Sequence, residues 1–62
     1  MPFPQPVFTF LLRCHEDNLV TQWSVFKRDQ PVLTSTGVRI PAECITVGDD
    51  IEVSGIRFKV IG

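Results

Sequence analysis

Ile45-Thr46-Val47-Gly48-Asp49-Asp50-Ile51-Glu52-Val53-Ser54-Gly55-Ile56-Arg57-Phe58-Lys59-Val60-Ile61-Gly62 decides the fold of this 62-residue chain. Val47-Gly48-Asp49 reads as a tight reversal, since glycine and aspartate are ordinary turn residues. It leads into a short strand, Ile51-Glu52-Val53. Ser54-Gly55 predicts a two-residue connection into a second strand, Ile56 to Val60. With that connection Val53 faces Ile56 and Glu52 faces Arg57. Ile51, Val53, Ile56, Phe58 and Val60 then share one face, and Glu52, Arg57 and Lys59 share the other. Opposed charges across the two strands help to fix the register.

Upstream of the hairpin, Ala42 to Ile45 reads as a single helical turn or an irregular link. Before it lies a short alternating strand, Val38-Arg39-Ile40, ended or edged by Pro41, which cannot donate to a ladder. Pro31 to Thr34 reads as another short strand, closed by a turn at Ser35-Thr36-Gly37. Val7 to Cys14 is a longer strand with Phe8, Phe10, Leu12 and Cys14 on one face. Val7, Thr9, Leu11 and Arg13 lie on the other face, so both faces are partly apolar and a central position is expected. His15-Glu16-Asp17-Asn18 is a polar turn.

Leu19 to Arg28 admits two readings. As a strand it sets Leu19, Thr21, Trp23 and Val25 on one face. As a helix it sets Leu19, Val20, Trp23 and Phe26 on one stripe, capped by Asp17 or Asn18 and stopped by Pro31. Its Val, Thr, Ser, Trp and Phe content favours the pleated surface. Residues 1 to 6 hold three of the five prolines at alternate positions, which predicts a stiff extended arm ahead of a single domain over residues 7–62. Five or six short strands with regular turns predict a mainly β protein. The expected form is a small antiparallel barrel, SH3-like or OB-like.

Size and composition narrow the function. Hydrophobic residues are 44% and charged residues 21%, a globular balance. A domain this small buries only about 60% of its unfolded surface, so its stability margin is thin. The net charge of −1, from six basic and seven acidic residues, disfavours a dedicated nucleic-acid binder. No run approaches the roughly 20 apolar residues of a membrane helix, and the first residues lack the pattern of a secretory signal. Two cysteines make no disulfide framework, and a reducing cytoplasm is the expected location.

Catalytic and metal-binding constellations are not legible. Cys14 and His15 are adjacent and point to opposite faces of a strand, so they do not converge on one ion, and Cys44 adds no paired spacing. His15 sits on a polar turn and is expected to be solvated. Cys14, His15 and Asp17 are neighbours in sequence, which differs from the spatial convergence of a triad. No enzyme, no metal and no cofactor is expected. Trp23, Phe26, Phe8 and Phe10 are the candidate protein-binding residues, because apolar side chains on both faces of residues 7–14 exceed what one core needs. An open small barrel also leaves an edge strand able to pair with another chain. Trp23, Lys27, Arg28, Arg39, Arg57 and Lys59, with Phe26, are the candidates for an alternative single-stranded nucleic-acid face.

Residues 47–60 resemble the Gly-Asp element of cradle-loop barrels. They also look like the C-terminal hairpin of short bacteriophage head–tail joining proteins, in which a Gly-Asp turn precedes a Gly-aromatic-Val strand. That resemblance implies an accessory protein of a virion or mobile element, acting by docking. A second stretch, Pro31-Val32-Leu33-Thr34 through Ile51, is similar to the autoprocessing segment of inteins and hedgehog-type proteins. Gln30 stands where that family's histidine would be, and the N-terminal nucleophile and C-terminal His-Asn pair are absent, so no splicing chemistry carries over. The expected function is a non-enzymatic binding module docking on a protein partner, with homo-oligomer formation open and no membrane partner.

Overall fold

The alternation over residues 7–14 becomes strand β1 (Phe8–Cys14), with Leu12 and Cys14 buried, Phe8 and Phe10 half-buried, and Thr9, Leu11 and Arg13 exposed. The computed structural model describes residues 3–62, and Met1 and Pro2 of the expected arm lie outside the described residues. Residues 3–6 carry no secondary structure and are exposed. A tight turn after β1 returns the chain into β2 (Val20–Val25), so the ambiguous segment 19–28 is a strand over its middle six residues and irregular at Leu19 and over 26–28. It pairs antiparallel with β1 from Phe8↔Val25 to Arg13↔Val20. Its β-branched and aromatic residues suit that half-buried surface.

Strand β3 (Pro31–Thr34) has the bounds read from the sequence. Strand β4 (Arg39–Pro41) starts one residue later than expected, because Val38 belongs to the preceding turn. There the Thr34 N–H donates to the Val38 carbonyl at 2.7 Å, and the Val38 N–H donates to Thr34 Oγ1 at 3.2 Å. Ala42–Cys44 forms one 3-10 turn. The Ala42 N–H reaches the Gln30 carbonyl at 2.9 Å and the Glu43 N–H reaches the Arg28 carbonyl at 3.0 Å, which ties this turn to the β2–β3 connection.

Strands β5 (Asp50–Val53) and β6 (Ile56–Val60) form the hairpin in the expected register, Glu52↔Arg57 and Val53↔Ile56. Ser54 (φ 53°) and Gly55 (φ 79°) are both left-handed, as a two-residue turn matched to strand twist requires. At the other reversal Gly48 (φ 100°) donates its N–H to the Val60 carbonyl at 2.8 Å. Asp49 braces it, its Oδ2 accepting from the Thr46 N–H at 2.8 Å and the Thr46 hydroxyl at 3.2 Å. Asp49→Ala is expected to lower stability by about 1 kcal/mol in urea unfolding. Asp49→Asn, which keeps an acceptor, should recover most of that loss.

All six strands join one antiparallel sheet in the order β2-β1-β6-β5-β3-β4. Leu12, Val25, Val32, Ala42, Ile45, Ile51 and Val60 make a single buried cluster, with Phe8, Phe10, Trp23, Ile40, Val53 and Phe58 packed against it. Val25 and Val32 lie on strands that do not pair, so the sheet must curl to bring both into that cluster. The expected barrel is nevertheless not closed. β2 and β4 are the two free edges. Strand β4 has three residues and ends in Pro41, which lacks an N–H, so it offers little ladder with which to complete a barrel.

Candidate functional site

Reactive side chains are kept apart. Cys14 is buried and Cys44 is exposed, and both are free thiols. His15 projects on the side away from Cys14 and bonds through Nε2 to Asp50 Oδ1 at 2.9 Å, with both side chains close to half-exposed. Its N–H donates to the Arg57 carbonyl at 3.1 Å. The solvated histidine of the sequence reading thus has a partner at the start of β5. No local signal could reveal that pairing, since it depends on β6 lying between β1 and β5. Among the described residues no three His, Cys, Asp or Glu side chains gather into a group able to hold a metal ion.

The four candidate protein-binding aromatics divide into a row and an outlier. Phe8 and Phe10 lie with ring centres 5.9 Å apart, and Phe10 and Trp23, opposite each other across β1 and β2, lie 6.0 Å apart. These three are half-buried against the core, while Phe26 stands past the end of β2 and is 53% exposed. The Arg28 guanidinium sits 5.7 Å from the Phe8 ring centre, a cation–π contact.

By register Arg39, Arg57 and Lys59 lie on one face of the sheet, through Leu33↔Arg39, Leu33↔Glu52, Glu52↔Arg57 and Asp50↔Lys59, whereas Lys27 and Arg28 lie off it. Arg39 joins Trp23, Gln30 and Glu52 around a cleft of about 430 Å³ where the inner side of β2 approaches β3 and β5. Lys27 and Arg28 are exposed in the connection after β2. Arg57 and Lys59 alternate with the inward-packed Phe58 and stand across the β5–β6 ladder from Glu52 and Asp50. Two of the positive charges are therefore opposed by carboxylates.

Exposed apolar surface is uneven. Among the described residues Phe3, Val7, Leu11, Leu19 (67% exposed), Val20 (51% exposed) and Phe26 lie on or beside the β1–β2 hairpin, while Val38, Val47 (67% exposed) and Ile56 lie elsewhere. Sequence reasoning found the apolar excess on β1 but missed Leu19 and Val20, because it could not tell which end of β2 the core would cover. The two sheet edges also differ. β4 is short and carries Arg39 and Pro41, both of which blunt an edge. β2 has six residues, none charged and none proline.

Among the described residues no helix is long and apolar enough to cross a membrane. No protein-family model, characterised protein or solved structure matches the chain.

Proposed function

We propose that this chain is a small non-enzymatic docking module that binds a protein partner through the β1–β2 end of its sheet, in the cytoplasm. One observation carries the reading. Six of the nine large exposed apolar side chains among the described residues lie on or beside the hairpin that contains β2, the longer and uncharged one of the two edge strands. Exposed apolar side chains beside an edge favour an interaction site, and an unblunted edge supplies backbone donors and acceptors for a partner strand. The open, curled sheet is consistent with kinship to SH3-like or OB-like small barrels. The resemblance of residues 47–60 to phage head–tail joining proteins supports a place in a phage or mobile-element assembly, and virion structural genes are the expected neighbours.

Single-stranded nucleic-acid binding is the alternative, and the cleft lined by both Trp23 and Arg39 favours it. Two measurements separate the readings. Immobilised wild type is expected to retain a partner from host extract that Leu19→Lys loses. Trp23 fluorescence is expected to stay unchanged as single-stranded DNA or RNA is added at low salt. Quenching that salt reverses would transfer the conclusion to nucleic acid.

A further inference from the structure

In an antiparallel ladder, backbone groups of successive residues point to alternate edges. The Cys14 N–H donates to the Leu19 carbonyl at 2.9 Å, and the register continues through Leu12↔Thr21 and Phe10↔Trp23. The Leu19 carbonyl and both backbone groups of Thr21 and Trp23 therefore turn toward β1, while the Leu19 N–H is taken by Asp17 Oδ1. Val20, Gln22 and Ser24 turn theirs the other way, to an edge that no strand of the described residues takes. All three residues are exposed.

We propose that this edge pairs with β2 of a second copy of the chain, antiparallel and centred on Gln22. The inference rests on the docking reading and names the occupant of that surface. In this register Gln22 meets Gln22 of the second copy and Val20 meets Ser24, so the outward N–H and C=O groups of these residues find partners. Two-fold symmetry repeats each contact.

Charge placement selects a second copy over a foreign strand. Glu16 and Asp17 precede β2, Lys27 and Arg28 follow it, and all four are exposed. Antiparallel pairing about Gln22 lays the acidic turn of one copy beside the basic doublet of the other, at both ends of the interface. A parallel pairing would set like charges together at both ends. Complementary ends of this kind fix orientation and register. The pairing also brings the exposed apolar residues Leu19 and Val20 of each copy to the join.

Sedimentation equilibrium tests the proposal. Wild type is expected to dimerise at low ionic strength and to dissociate as salt is raised. Gln22→Pro removes one outward N–H and leaves the ladder to β1 intact, and it should weaken the dimer about tenfold or more. Circular dichroism checks that this variant folds. Two charge variants make a second, independent arm. Glu16→Lys with Asp17→Asn keeps a side-chain acceptor for the Leu19 N–H that Asp17 now bonds at 3.0 Å. Paired with itself, it sets positive against positive. Lys27→Glu with Arg28→Gln sets negative against negative. Each alone should be monomeric, and an equimolar mixture should restore the dimer, because each variant then meets its opposite at both ends. A monomeric wild type, a dimer indifferent to Gln22→Pro, or a mixture that stays monomeric overturns the proposal. If wild type is monomeric yet Leu19→Lys still abolishes capture of a foreign protein, this inference falls and the docking reading stands.

Discussion

Ile51→Ala is expected to cost about 2–5 kcal/mol of unfolding free energy, the range for emptying a fully buried aliphatic site. Ile51 is wholly buried in β5, between Thr34 on β3 and Phe58 on β6. Removing its side chain takes contacts from the buried cluster. Small domains have a thin margin to lose, so a substantial unfolded population should appear without denaturant. Urea unfolding followed by Trp23 fluorescence reads the loss. Ile56→Ala, on the same face of the same hairpin but 39% exposed, should cost less than about 1 kcal/mol. Equal losses at the two sites would contradict the placement of the core.

Gly55→Val should cost roughly 1–2 kcal/mol through the backbone alone. Gly55 has φ 79°, and no atom beyond its chain neighbours lies within 4 Å of where a Cβ would stand, so a Cβ itself meets no crowding. The penalty comes from holding a branched L-residue in the left-handed region. Ser54→Asn should act in the opposite direction by a few tenths of a kcal/mol, because asparagine tolerates the φ of 53° that Ser54 already adopts. A Gly55→Val chain as stable as wild type in the same urea experiment would mean that the hairpin does not use this turn.

Those two sites also mark what the sequence makes legible. Turn residues and alternation are local, and they carried the hairpin register, the bounds of β3 and the inward face of β1. The strand at residues 20–25 was favoured by its β-branched and aromatic content, and its pairing with β1 removed the ambiguity. Closure was not legible, since it depends on whether β4 can offer a ladder to β2. Val38 and Pro41 each take from that strand what a barrel would need. The His15–Asp50 contact and the Arg28–Phe8 contact were hidden for a related reason. Each joins segments whose proximity follows from strand order, and strand order leaves no mark on neighbouring residues.

The position of β6 between β1 and β5 has a kinetic corollary. Hairpins β1–β2, β3–β4 and β5–β6 each join segments close in sequence and can form within microseconds. The ladder that unites the halves pairs Leu12 with Val60 and Cys14 with Phe58, near opposite ends of the polypeptide. Its loop-closure entropy must be met before the shared contacts reward it. Assembly of the final sheet is thus governed by the encounter of β1 with β6. Tethering those two strands, or placing them adjacent by circular permutation, would accelerate folding more than improving any single turn.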